Sequence, residues 1–291
     1  LEIWSDILQE PKFPPVTIAN FVRDLSPYMV AGGDIVHVPD IFTNVFSVGT
    51  QTTQGAAVVD ESVASVDVTL TVNNHRYIAW IIGDKDMKQL ASKYPLNEAY
   101  IREAKRLLIR TIEDSLFALW SSVTTNTVGD TATVLTDKEI REAIDALDST
   151  DYELSDCAWF FHPTVYWMQI SGIQKYYDAN QRGEKSVLTS GVLGPIENKR
   201  GQEFKGHLYD IPVFTSSRVV SGLQTYRNLL LHKDAFGLAV QTLSGGMARA
   251  QMEYKLENLG TLAVVDTIYG VGVLREPAAV LVNANTSSVT S

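Results

Sequence analysis

From Thr69 to Ile82 the chain alternates at a period of two and is rich in β-branched and aromatic residues, which predicts a strand. Gly83 interrupts the pattern, and Asp84 and Asp86 follow on either side of Lys85. Upstream, the pieces "DIVHV", "NVFSV", "AAVVD" and "SVDVTLTV" flank a soft tip, "GTQTTQGA", and together predict a long β-hairpin. Large apolar residues are scarce near that tip, so the hairpin owns no core. A lone two-stranded ribbon is marginal in water and needs a surface to lie on.

After Pro95 the period becomes helical. Ile101, Ala104, Leu108, Ile112, Ser115 and Leu119 step by three or four, predicting a helix over 97–121 with Asn97 as its cap and Glu98 in the first turn. Arg102, Arg106 and Arg110 fall on the opposite side, Lys105 lies at its edge, and Glu103 and Glu113 are local partners. At about 1.5 Å per residue the helix is roughly 37 Å long, a length that suits a structural spine. Residues 1–32 read differently. They hold four of the ten prolines, which prevent long helix and remove sheet donors, so an extended arm with short helices is expected.

The middle of the chain mixes types. "TDKEIREAIDAL" (136–147) predicts a helix opened by a capping box of Thr136 and Glu139. "CAWFF" reads as a buried strand, "PTVYWMQI" as a helix opened by Pro163, and 177–195 as a polar, glycine-punctuated loop. "GHLYDIPVFTSS" predicts strand and "NLLLHKDAFGLAVQ" a strand-to-helix element. The stretch from Ala248 to Val282 reads as strands with turns.

Composition narrows the function classes. With 45% hydrophobic and 20% charged residues, the 291-residue chain has the profile of a soluble globular protein, and no apolar run approaches the roughly 20 residues of a membrane span. Leu1 to Glu10 carry Glu2, Asp6 and Glu10, unlike a secretory leader. The net charge of −10 opposes a protein built to grip phosphates. Acidity is concentrated in the hairpin: 34–67 contains Asp34, Asp40, Asp60, Glu61 and Asp67 and no Lys or Arg. A single cysteine, Cys157, excludes an internal disulfide framework and any multi-cysteine zinc site.

Catalytic motifs are missing. There is no Gly-x-Ser-x-Gly elbow and no His-Glu-x-x-His, and "ANQRGEKS" (179–186) places Glu184 where a phosphate loop needs Gly. The five histidines, His37, His75, His162, His207 and His232, show no ligand spacing. Asp84 and Asp86 could bridge a cation from one face of a strand, the basis of a remote reading as a metal-dependent hydrolase. The structural reading is the stronger one: a strand ends at Gly83, and one of the aspartates accepts a hydrogen bond at the following turn or cap.

Taken in order, these elements resemble the major capsid (coat) protein family of tailed bacteriophages, whose fold is named after coliphage HK ninety-seven. The resemblance rests on "IWSDIL", "GGDIVHVPDI", "TLTVNNHRYIAWIIGDKDMKQ", "GVLGPIENKRGQEFKGHLYDIPVFTSS", "LLLHKDAFGLAVQ" and "DTIYGVGVLREPAAVLV", and covers Ile3 to Asn283. It implies an α+β fold with an N-terminal arm (1–32), an extended β-hairpin E-loop (33–75), a P-domain with the spine helix (76–135), an A-domain (136–235), and returning P-domain strands with a C-terminal segment (236–291). It further implies a non-enzymatic subunit that needs no cofactor or metal. Such subunits form homo-hexamers and pentamers that close into an icosahedral virion shell in the host cytoplasm. The shell encloses double-stranded DNA without sequence-specific binding, and scaffolding, portal and decoration proteins are further partners; no membrane is involved. Bacterial nanocompartment shells, which share the fold, are the alternative. In one phage of this family the E-loop carries a cross-linking lysine; 34–67 here has none, so a non-covalent shell is expected. Charge adds a further expectation: the hairpin of one copy, with Asp60, Glu61 and Asp67, meets Arg102, Lys105, Arg106 and Arg110 on the spine helix of the next.

Overall fold

The computed structural model describes residues 17–29, 33–40, 66–85, 96–173, 204–222, 225–241 and 248–285. The elements in chain order are β1 (Arg23–Asp24), β2 (Ile35–Asp40), β3 (Val66–Thr71), β4 (Asn74–Gly83), α1 (Leu96–Ala118), β5 (Thr127–Val128), α2 (Asp137–Asp148), β6 (Cys157–Phe161), α3 (Pro163–Met168), β7 (Phe204–Leu208), β8 (Ile211–Thr215), β9 (Thr225–His232), β10 (Phe236–Gln241), β11 (Arg249–Lys255), β12 (Gly260–Val273) and β13 (Ala279–Asn285).

Three sheets organise them. The first is built around the 14-residue β12. Antiparallel β4 lies on one side of it, β11 and then β10 lie along the other, and β1 adds parallel to β10. The second sheet has the order β5-β13-β9-β6-β8-β7, and β2 and β3 form a separate two-stranded ribbon. The 236–291 segment therefore divides: β10 to β12 belong to the first sheet, whereas β13 pairs with β9 inside the second.

The two faces of β12 carry different layers. Odd positions face α1: Val265 packs with Ala104 and Leu108, and Tyr269 packs with Ile112 and Leu116. The Tyr269 and Ser115 hydroxyls lie 2.9 Å apart. Even positions face the ribbon root, where Leu70 and Val72 pack against Ala239 and Leu274, with Ile268 at their edge. Gly270 makes this approach feasible, because a Cβ there would lie 2.4 Å from the Thr71 carbonyl oxygen. The helix and the ribbon root thus grip opposite faces of one sheet.

The second sheet is covered on both sides. Phe160 of β6 faces the core shared with Phe117 and Leu116 of α1, whereas Trp159 and Phe161 face α2 and α3 through Ile140, Leu147 and Val165. That double cover explains why "CAWFF" is an unbroken apolar run. In α2 the capping box forms, with the Thr136 amide donating to Glu139 at 2.9 Å.

Two expectations change. The strand expected over 69–82 is two strands, because the chain leaves the ribbon at Val72 and Asn73 and enters the first sheet at Asn74. The alternation of 66–72 stops at four consecutive polar residues, 73–76, and this is the mark the break leaves in the sequence. The expected strand-to-helix element is strand, turn and strand, since β10 is clamped between β1 and β12 and tertiary burial overrides local propensity. The loop at 177–195 lies outside the described residues.

Candidate subunit interface

Among the described residues, the sequence-derived contact residues lie on two separate elements, the β2–β3 ribbon and α1. Asp60 and Glu61 lie outside the described residues. Asp67 is exposed at the ribbon root, 3.9 Å from His37 across the strand pair. Arg102 is exposed on α1, and Lys105, Arg106 and Arg110 are half-buried there; Arg106 lies 3.7 Å from Glu103. These basic residues share a helix whose apolar stripe packs on the odd face of the first sheet, and the ribbon root stands on the even face.

Glu113 corrects the expected charge pattern. It is only 5% exposed, so it is no solvent-side partner of the arginines. Its Oε1 accepts the Thr17 amide at 2.5 Å, the Ile18 amide at 3.0 Å and the Thr17 hydroxyl at 3.3 Å. A helix carboxylate thereby caps the turn that begins at Ile18 and fixes the arm against the core. Burial pushes this carboxyl above its ordinary range even though the donors from Thr17 and Ile18 pull the other way.

Asp84 also has a structural role. Its carboxylate accepts the Tyr254 hydroxyl at 2.7 Å, and its amide donates to the Leu259 carbonyl at 3.0 Å. These bonds tie the end of β4 to the β11–β12 turn. Asp86 lies outside the described residues. Among the described residues, no group of three His, Cys, Asp or Glu side chains could hold a metal ion. Cys157 is buried and its thiol is pushed up to about 12, chiefly by burial. The histidines take structural places: His162 Nδ1 accepts the Thr164 amide at 3.2 Å, and His232 Nδ1 accepts the Asp234 amide at 3.2 Å.

The residues that sequence reasoning missed lie on β4. Ile78 and Trp80 point toward α1, whereas Tyr77, Ala79 and Ile81 point to the even face. Beyond the ribbon root that face is open: Tyr77 is 69% and Ile81 47% exposed. A polar cross-strand cluster marks the boundary. Asp266 is buried and accepts Arg249 Nε at 3.0 Å and Nη2 at 2.7 Å, with His75 Nε2 at 3.1 Å. Hydrogen bonding from Arg249 holds this carboxyl below its ordinary range. A signal was available in the sequence: "YIAWII" is apolar at both parities, the mark of a strand covered on two faces. Among the described residues it is covered on one.

No protein-family model and no curated protein sequence matches the chain. Solved structures do match. A structure from Mycobacterium phage Che8 superposes with a TM-score of 0.73 at 17% identity, covering 97% of this chain and 96% of its own. The capsid structure of the cyanophage P-SCSP1u gives a TM-score of 0.71 at 12% identity, over 97% of this chain and 92% of that one. This chain has the phage capsid fold. The encapsulin of the holo-SrpI complex from Synechococcus elongatus PCC 7942 shares the fold as well, with a TM-score of 0.65 at 13% identity over 100% of this chain.

Proposed function

We propose that the chain is a non-catalytic structural subunit that self-assembles through hexamers and pentamers into the icosahedral shell of a phage virion around its DNA. One observation carries the reading: phage-derived structures superpose along 97% of the chain, so the whole molecule, ribbon and spine included, is built as a shell subunit is. The open even face of the first sheet supports it, because a strand apolar on both faces and covered on one requires a second surface. The E-loop of one copy supplies that cover on the P-domain of its neighbour. Closed rings keep the same face of every subunit outward. An E-loop rooted on the even face therefore reaches a neighbour's even face more directly than the far side of its spine helix.

Electron microscopy of the purified chain tests the class. Closed shells are expected; particles the size of a single copy overturn the proposal. Nuclease-resistant nucleic acid inside shells assembled in cells supports the virion, and a packaged protein supports the nanocompartment reading. Charge reversal tests the landing site. The double variant Arg106→Glu, Arg110→Glu is expected to assemble like the parent at moderate salt, and failure to assemble returns the contact to the spine helix.

A further inference from the structure

A pocket of about 490 Å³ lies beside the β2–β3 ribbon. On one side it is lined by Ile35 to Pro39, consecutive residues of β2; on the other stand Leu25 and Tyr28 after β1, with Leu274 and Arg275 after β12. Successive residues of a strand point to opposite faces, so a wall that includes both sets is the strand's edge. Among the described residues β2 pairs with β3 alone. The phase of that pairing is fixed at its start, where Asp34 accepts the Val72 amide at 2.7 Å. In an antiparallel ladder, bonded and non-bonded pairs alternate. Asp34, Val36 and Val38 therefore bond β3, and Ile35, His37 and Pro39 turn their backbone outward. Pro39 agrees with that phase, because proline is tolerated where a strand's amide position faces away from its partner. It also closes the template: within β2 the outer edge offers two donors, from Ile35 and His37.

The pocket is apolar in its walls and charged at its margin. Leu25, Val36 and Leu274 are buried, whereas Ile35 is 51% and Tyr28 72% exposed. The charges there are paired or mixed in sign. Arg23 lies 3.5 Å from Asp234 and His37 lies 3.9 Å from Asp67, and Asp24 and Asp34 are exposed next to these elements. Charge therefore does not choose an occupant. Apolar surface and backbone do: among the described residues, none accepts the Ile35 or His37 amide. An exposed strand edge of this kind is covered by a segment that adds alongside it.

We infer that this pocket seats the chain's own segment Ile3–Leu8, laid along the outer edge of β2 so that its carbonyls accept the Ile35 and His37 amides. Composition and tether choose that occupant. "IWSDIL" places four large apolar residues, Ile3, Trp4, Ile7 and Leu8, within six positions. Thr17 is held by Glu113 of α1, and Arg23 of the pocket wall follows six residues later. At about 3.3 Å per residue, Thr17 lies within roughly 20 Å of Arg23, and the stretch from Leu8 to Thr17 spans up to roughly 30 Å. The segment therefore reaches the pocket of its own copy. A short tether gives it an effective concentration in about the millimolar range there, more than a separate copy supplies in dilute solution. The contact is made within one chain and does not depend on the shell reading. Its consequence is a ribbon braced at its base on the side opposite β3.

Amide hydrogen exchange on the dilute, unassembled chain tests the seat. The Ile35 and His37 amides are expected to exchange slowly in the parent and at least about tenfold faster in the double variant Ile3→Asp, Ile7→Asp, while those of Val36 and Val38, bonded to β3, keep parental rates. Equal rates for Ile35 and His37 in the two chains overturn the inference. If that variant does not fold, a second pair decides. Ile7→Cys with Tyr28→Cys is expected to form a disulfide within a single chain on mild oxidation, with the native Cys157 buried away from the reaction. No disulfide, or only disulfide-linked dimers, overturns the inference. Both readouts are taken on single copies, so an absence of shells would bear on the proposed function and leave this result standing.

Discussion

A carboxylate's surroundings decide whether it acts as a surface charge or as a fastener, and Glu113 and Glu276 show two ways of fastening. Glu113 holds the amides of Thr17 and Ile18 from inside the core, so Glu113→Ala orphans two donors and is expected to destabilise the unassembled chain by roughly 2–3 kcal/mol in urea titrations. Glu113→Gln keeps an acceptor oxygen and is expected to recover most of that loss. Glu276 opens a one-turn 3-10 helix and accepts the amides and hydroxyls of Thr124 and Thr125, which bring its carboxyl from the ordinary 4.5 to about 2. The two act oppositely with pH. A depressed carboxyl contributes stability that is present above about 4.5 and lost as the pH falls toward about 2. The raised Glu113 carboxyl does the reverse: its contribution is complete below its unfolded value and fades as the pH climbs through the folded one. Glu276→Gln should therefore flatten the acid limb of the stability curve between about 4.5 and 2, measured by thermal melts across that range. Neither role was legible in the sequence. Glu113 lies among Arg106, Arg110 and Asp114 and reads as a surface charge, because its partners are backbone amides about a hundred residues upstream.

At the scale of elements, helix α1 was the most legible part. Its stripe of Ala104, Leu108 and Ile112 forms the packed face as the spacing implies. Less legible was the E-loop's attachment. The alternation that marks β3 gives way to the polar run 73–76 and then to the unbroken apolar run 77–82, so the step from ribbon to sheet is marked by composition, while the face each strand joins is not. What holds the ribbon root is a close backbone approach, which a side-chain pattern does not encode. Gly270→Ala tests that approach. Its Cβ would meet the Thr71 carbonyl oxygen at 2.4 Å, against backbone that cannot swing aside as a side chain can. The variant is expected to lose roughly 1–3 kcal/mol by chemical denaturation, and the amide of Val72, which donates to Asp34 at 2.7 Å, should exchange faster than in the parent. An unchanged Val72 amide would mean that the root is held elsewhere.

For the whole molecule, order along the chain carried more information than any motif. No catalytic or metal-ligating pattern had to be found for the arm, ribbon, spine, mixed domain and returning strands to suggest a container, and phage structures superpose along 97% of the chain. The placement of β13 in the second sheet was hidden, because an apolar strand does not record which sheet it joins. The proposed shell role bears on how the copies would be held together. Each contact available to one copy is modest, being an open sheet face and scattered charges, and many copies multiply it. An isopeptide bond whose amine comes from the E-loop would need a lysine on the loop. The segment 34–67 supplies carboxylates, hydroxyls and one imidazole, and no lysine. Shells should therefore dissolve fully in hot detergent and run on a denaturing gel as one band at 32.1 kDa. A ladder of multiples would show that linkage arises from a lysine outside the ribbon.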